Sequence, residues 1–393
     1  MSFSRRAFLD AFTGRTGTDP AFAAAISARG REALMAEYGG LDYQAANAAP
    51  AQAPANRTMI RLSSNENPLG PSQAALTAIE NAFQYAGRYP MNARPAIADF
   101  RGLVAKKHGL QNNQVAIGSG SGEILDAAVK AFTTTSRGLV TGTPSYEDPV
   151  GVARRLKSPI AQVPLDANGR LDLAQMAAAS NAQGLVFLCN PNTPTATVHS
   201  GQAVSDTLAQ IEKASPDTVV LVDEAYHEYV TDPAYTSAVS LIPQHRNMIV
   251  SRTMSKCFGM AGLRLGYVMG QAEVISRLAR WIMPYNVSAA TVAAGVASLN
   301  DDAGTARERD RNTAAKKFTV DFFTSAGYSA TDSQTNFIFV NLRRPAKEFR
   351  EACAKQGIAV GRDFPPMEKT HCRISIGSMD EMEKAVDVFK SVL

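Results

Sequence analysis

Cysteine is scarce in this 393-residue chain, and its four thiols, Cys189, Cys257, Cys353 and Cys372, lie far apart, with no CxxC pair and no histidine at ligand spacing. That excludes a disulfide framework and a zinc site, so no metal is expected; small buried hydrophobes are the reading that remains. No stretch approaches the ~20 consecutive apolar residues of a membrane-spanning helix. Basic residues are dispersed: net charge is +4, and no Lys/Arg cluster marks a nucleic-acid footprint. Neither a membrane nor a nucleic acid is therefore expected as a partner. The dinucleotide glycine fingerprint and the P-loop lysine are also missing. What is present is ordinary globular composition, 45% hydrophobic and 19% charged, with length for roughly two domains.

The first residues are less ordinary. Ser4-Arg5-Arg6-Ala7-Phe8-Leu9 is similar to the twin-arginine export motif, an address read by a receptor. Asp10, Arg15, Asp19 and Pro20 interrupt the apolar segment that a signal peptide needs. A cytoplasmic protein with a free arm and a periplasmic protein both remain open. From Tyr43 to Arg57 the chain is rich in Ala, Pro, Asn and Gln, a linker composition.

Beyond the linker, short apolar runs alternate with helical patterns. Val115–Gly118, Gly138–Val140, Leu185–Leu188, Thr218–Val222 and Asn247–Val250 read as buried strands. Helices are expected after Pro71, with Ala74, Leu76, Ile79 and Phe83 as a buried stripe, over 94–108, after Gly122 and over 201–214. Such alternation predicts an α/β fold with a mostly parallel sheet whose ligands sit at the strands' carboxyl ends. Five strands end in chemically suggestive residues: Gly120-Ser121-Gly122, Tyr146, Asn192, Asp223 and Lys256. After about residue 286 the pattern changes to long helices and a few strands, an α+β module.

The stretch Ser251–Gly266 organises the rest. A lysine at a strand end, inside a turn of small residues, can be desolvated enough to act as an amine nucleophile towards an aldehyde. Thr253, Ser255 and Arg264 supply hydroxyls and a guanidinium for a phosphate beside it. Lysine and phosphate cup together describe a pyridoxal phosphate site.

Ser64-Asn65-Glu66-Asn67-Pro68-x-Gly70-Pro71, Asp223-Glu224-Ala225-Tyr226, and Ser255-Lys256 with Gly262-Leu263-Arg264-x-Gly266 carry a further resemblance. From about Arg61 onward the sequence resembles the fold-type-I pyridoxal phosphate aminotransferases, and within them the histidinol-phosphate aminotransferase-like group. The resemblance implies a three-layer αβα fold with a large cofactor-binding domain, 89–286, and a smaller α+β domain from 58–88 plus 287–393, behind an arm and linker over 1–57. It implies that Lys256 forms the aldimine and shuttles a proton, that Asp223 pairs with the ring nitrogen and that Tyr226 meets the phenolic oxygen. Tyr146 would stack on the ring, while Ser121, Gly122, Thr253, Ser255 and Arg264 would hold the phosphate. Tyr89 would reach it from a second subunit, so a homodimer is expected. Arg373 would take the substrate carboxylate, with Asn336, Arg362 and Ser64 nearby.

One turn departs from the family pattern. Asn192-Thr193-Pro194-Thr195-Ala196 stands where the family has Asn-Asn-Pro-Thr-Gly, so the cofactor-oxygen contact falls to Asn192 or Thr193. The expected reaction moves an amino group between an amino acid or amino-alcohol phosphate and a 2-oxo acid such as 2-oxoglutarate, by a ping-pong mechanism. A decarboxylase or β-lyase on the same scaffold is the nearest rival, and a non-catalytic cofactor-binding module a remote one.

Overall fold

The computed structural model describes residues 59–393; the arm, the Ser4–Leu9 motif and the linker lie outside the described residues. The strands are β1 (Ile60–Leu62), β2 (Val115–Gly118), β3 (Leu139–Thr143), β4 (Ile160–Pro164), β5 (Leu185–Cys189), β6 (Val219–Asp223), β7 (Met248–Thr253), β8 (Gly266–Gly270), β9 (Ser329–Ala330), β10 (Phe337–Asn341), β11 (Ile358–Val360) and β12 (His371–Ser375). The helices are α1 (Gln73–Ala82), α2 (Ile97–Lys107), α3 (Gly120–Phe132), α4 (Asp148–Arg155), α5 (Leu173–Ala179), α6 (Gly201–Ala214), α7 (Ala272–Ala279), α8 (Ala289–Leu299), α9 (Asp302–Ser325), α10 (Ala346–Lys355) and α11 (Met379–Val392).

Seven strands form one sheet in the order β2-β8-β7-β6-β5-β3-β4. Only β8 runs against its neighbours; β4, β3, β5, β6 and β7 pair in parallel. The strands read as unbroken apolar runs because both faces are covered. Val140, Val186, Leu188, Val220, Val222 and Val250 point to one face, packed by α1, α2, α5, α6 and α8. Leu139, Leu185, Phe187, Val219, Leu221 and Ile249 point to the other, under α3, α4 and α7. Each such side chain stabilises the fold by about 1.5–3 kcal/mol on burial. This is the expected three-layer αβα architecture.

A second, antiparallel sheet, β12-β10-β9, packs with α9, α10 and α11 around Phe323, Phe349, Phe389 and Ile374. Strand β1 joins this core: Ile60 pairs in parallel with Ile358, and Leu62 is buried among these residues. Residues 63–70 therefore cross from the C-terminal core to the large sheet. Serines cap several helices as their sequence suggests. Ser72 begins α1 by accepting from the Ala75 N–H, and Ser378 forms a reciprocal capping box with Glu381 at α11.

Of the expected buried stripe on α1 only Ile79 packs against the core. Leu76 is 40% and Phe83 64% exposed, and the inward positions are Ala75 and Ala82. Helix α1 packs against α8, whose buried residues include the small Ala289, Ala293 and Ala294.

Candidate active site

All the parallel strands present their carboxyl ends at one edge, where the sequence places its polar residues. Asp223, the last residue of β6, is buried and pairs in register with Ser251 of β7, whose hydroxyl donates to Asp223 Oδ1 at 2.6 Å. Burial pushes the Asp223 carboxyl up to about 6, with the neighbouring Glu224 adding to the shift and Ser251 opposing it. Its strand neighbour Glu224 points the other way, into a buried ion pair with Arg252 of β7 at 2.9 Å. Glu224 also accepts from the Ala238 N–H and the Ser237 hydroxyl. Burial alone would raise Glu224, but the Arg252 guanidinium and these donors hold it below the ordinary glutamate value. Such a pair strongly penalises loss of either partner and so fixes the tips of β6 and β7 side by side.

Lys256, three residues beyond β7, is half-buried, and its amine donates to the Ser64 carbonyl at 3.2 Å, 5.7 Å from the Tyr226 ring centre. Burial lowers its pKa to about 8, helped by the guanidiniums of Arg373 and Arg264 and opposed by Glu66 and Asp223. A neutral fraction of roughly a tenth or more is thus available near physiological pH, far above that of an ordinary lysine, and the neutral amine is the form a nucleophile or a general base needs. Tyr226 is buried, and its hydroxyl accepts from Asn65 Nδ2 at 2.9 Å; burial raises its pKa to about 12, so it stays a phenol.

Beside these groups lies an anion cradle. Helix α3 begins at Gly120, so the amides of Ser121 and Gly122 lie in its first turn, where the partial positive charge is largest. Gly120 has φ +75°, and a Cβ there would stand 2.1 Å from Arg264 Nη2. Glycine thus allows both the left-handed backbone and the approach of the guanidinium. Gly266 matters for another reason: a Cβ on it would lie 2.5 Å from the Ser121 nitrogen, so its absence lets the start of α3 settle onto β8. Arg264 Nη1 donates to Ser255 Oγ at 3.2 Å, and Thr253 Oγ1 donates to Ser255 Oγ at 3.0 Å. Arg264 itself holds a left-handed φ of 57°, an uncommon conformation for a non-glycine residue at a site of this kind.

Arg373 of β12 faces the same cleft, donating to the Ser63 carbonyl at 2.6 Å and to Thr193 Oγ1 at 3.2 Å. Thr193 is therefore the residue of its turn that meets the arginine. Asn192 is occupied elsewhere: its Nδ2 donates to Thr195 Oγ1 and the Pro144 carbonyl, and its Oδ1 accepts from Ser145. Tyr146 donates to Asp148 at 2.6 Å. Arg362 pairs with Glu147 and lies 4.3 Å over the Phe364 ring, so it bridges the C-terminal core to the loop after β3. The Ser64 side chain is exposed, and its carbonyl is what serves the lysine. Asn336 is fully buried, and its amide donates to the Asn65 carbonyl at 3.0 Å. Tyr89 is 63% exposed and stacks on Tyr285 with ring centres 4.7 Å apart, at the surface.

Sequence reasoning missed Asn65, Ser251 and the Glu224–Arg252 pair as parts of the site. Ser251 and Arg252 carried a signal, because residues that precede a strand-end lysine on a strand beside Asp223 must alternate between its two faces.

An anion cradle, a buried acid and a desolvated amine on neighbouring strand ends fit pyridoxal phosphate in charge and order. Fold and site together define a phosphate-cofactor enzyme built on a lysine amine. The sequence profile of the family described as "Aminotransferase class I and II" matches residues 57–389. The histidinol-phosphate aminotransferase of Brevibacillus brevis is 35% identical over 344 residues, covering 85% of this chain and 90% of that protein. The crystal structure of histidinol-phosphate aminotransferase from Sinorhizobium meliloti, in complex with pyridoxal-5'-phosphate, superposes with a TM-score of 0.78 at 23% identity, covering 100% of this chain and 99% of that one. The L-threonine-O-3-phosphate decarboxylase from Porphyromonas gingivalis shares the fold too, with a TM-score of 0.72 at 19% identity over 85% of this chain and 99% of that one. The chain belongs to the class I and II aminotransferases.

Proposed function

We propose that this aminotransferase binds pyridoxal phosphate at the strand ends described above, and that it takes an amino-alcohol phosphate of the histidinol phosphate kind, or a related amino acid, as donor. The acceptor is a 2-oxo acid such as 2-oxoglutarate. One observation carries the reading: Lys256, Asp223 and the cradle of α3, Thr253, Ser255 and Arg264 occupy one edge of one sheet. When bound, the cofactor supplies an electron-withdrawing ring that stabilises negative charge at the substrate's α-carbon. Asp223 holds a proton on the ring nitrogen, Tyr226 hydrogen-bonds the ring oxygen, and Tyr146 covers the ring face. Lys256 Nζ holds the cofactor and, once released, takes up and returns the α-carbon proton. Arg373 receives the substrate's carboxylate or phosphate, exchanging its contact with the Ser63 carbonyl for a charge-assisted pair. Thr193, already on Arg373, takes the position that Asn192 leaves, and Arg362 with Glu147 borders the distal end.

A homodimer is part of this proposal. Trp281, Met283 and Tyr285 are exposed, as are Tyr89 and Met91, and Tyr89 meets Tyr285 ring to ring. Glu123 in the first turn of α3 accepts from the Met283 N–H and from Asn286, so this apolar edge is tied to the cradle. That support fits Tyr89 reaching the phosphate of a second copy.

The function test offers histidinol phosphate and other amino donors to the loaded enzyme with 2-oxoglutarate. Glutamate formed in proportion to donor consumed is the expected result; release of carbon dioxide without glutamate would sink transamination in favour of the decarboxylase rival. No helix among the described residues is long and apolar enough to cross a membrane. Residence in the cytoplasm predicts an intact N-terminus in native cells, whereas cleavage near Ala28 would place the mature protein outside.

A further inference from the structure

Three consecutive residues of the crossing segment each hold one functional group. The Ser63 carbonyl accepts from Arg373, the Ser64 carbonyl accepts from Lys256, and the Asn65 amide donates to Tyr226. The first two are backbone contacts that any residue could make. The third depends on one side chain, and that side chain is unusually constrained.

Asn65 is buried to 1% exposure, and each of its polar atoms is used. Its N–H donates to Ser375 Oγ at 2.8 Å, and its carbonyl accepts from Asn336 at 3.0 Å. Ser375 Oγ, having accepted that N–H, has a single hydrogen, which goes to Asn65 Oδ1 at 2.8 Å. With that hydrogen on Oδ1, the amide nitrogen is left to Tyr226. Nδ2 faces Tyr226 Oη, 2.9 Å away. An amide nitrogen only donates, so the phenol oxygen accepts, and the phenol's own hydrogen must point elsewhere. The ring is wedged edge-on against Phe337 at 5.1 Å, and Lys256 Nζ lies 5.7 Å from its centre on the cleft side. The backbone of Asn65 is left-handed, φ 56°, which asparagine tolerates better than most residues.

We infer that Asn65 is a positioning residue that turns the Tyr226 hydroxyl hydrogen into the cleft, and that Ser375, two residues beyond Arg373 on β12, sets the amide that does so. The same strand thus orients the group proposed to bind substrate and the group proposed to meet the cofactor oxygen. The inference rests on the role proposed above for Tyr226.

The test is a pH titration of the visible absorption band of the loaded enzyme. A phenol hydrogen aimed at the cofactor oxygen favours the deprotonated form, so misdirecting it raises the midpoint. Tyr226→Phe sets the full upward shift. Asn65→Gly removes the amide while glycine keeps the left-handed backbone, and Ser375→Ala frees the amide to flip. Both are expected to raise the midpoint in the same direction by about two- to tenfold in the protonation constant, the range of one ordinary hydrogen bond. Neither should add a shift in the Tyr226→Phe background. Unmoved midpoints in both variants beside a shifted Tyr226→Phe, or shifts that add in the double variants, would overturn the role of Asn65 alone. A silent Tyr226→Phe would instead remove Tyr226 from the cofactor, and this role for Asn65 with it.

Discussion

Gly120→Ala separates two consequences of one methyl group. The backbone at 120 has φ +75°, so an L side chain there strains the chain by about 1–2 kcal/mol whether or not a ligand is present. The methyl would also stand 2.1 Å from Arg264 Nη2 and 2.7 Å from Arg264 Cζ. These atoms are the far end of a flexible side chain that is exposed, so the overlap is relieved by swinging the guanidinium away, at little further loss of stability. The loss falls on anion binding. A hydrogen bond to a charged group contributes about 1.5–3 kcal/mol, and for an exposed arginine the low end applies, roughly a tenfold weaker cofactor Kd. Equilibrium dialysis of the cofactor and urea unfolding of the cofactor-free protein measure the two effects separately. In an Arg264→Ala background, Gly120→Ala should lower stability by the same amount but cost no further affinity. Full cofactor affinity in Gly120→Ala, or an undiminished affinity loss when Arg264 is already gone, would refute the cradle as described.

Asp223→Asn should lower turnover by about 100- to 1000-fold, the usual scale for removing one preorganised charge contact. In the cofactor-free protein it should raise stability above pH 6 and change little below pH 4. The sign follows because burial raises the folded-state pKa from 3.8 to about 6, so ionisation disfavours the folded state increasingly across that window. For Lys256 the amine must be neutral to capture an aldehyde. Reductive labelling with pyridoxal phosphate and borohydride, followed by mass spectrometry, should rise with a midpoint near pH 8, where an ordinary lysine is only about 0.3% neutral; a midpoint near 10.5 would contradict the desolvated amine. Trp281→Asp with Met283→Asp should halve the sedimenting mass without unfolding the chain, since both side chains are exposed. A monomeric parent protein would end the proposal that Tyr89 acts across subunits.

Much of this site was legible because strand ends in an open parallel sheet all emerge at one edge. Thr218–Val222 and Asn247–Val250 read as buried strands, so Asp223 and Lys256 were placed at the same sheet edge, and the pairing of β6 with β7 then brings them side by side. The close approaches at Gly120 and Gly266 came only with the structure. Periodicity was a poorer guide on α1, where Leu76 and Phe83 form an apolar stripe that the described residues leave exposed, because a sequence pattern records that a face is apolar but not what covers it.

The sequence alone determined the class of chemistry: a lysine, an acid and a phosphate cup in fixed order along the chain, carried by runs of residues too apolar to face water. It also indicated a mostly parallel sheet, while the order β2-β8-β7-β6-β5-β3-β4, the antiparallel β8 and the edge strand β4 came only with the structure. Only the tertiary structure decided the partners of each polar atom. That Thr193 and not Asn192 meets Arg373, that Asn336 stands behind Asn65, and that Asn65 grips Tyr226 are contacts between residues up to 271 positions apart. Hydrogen bonds are short-ranged and directional, and nothing in the local pattern of a chain specifies a neighbour so distant along it.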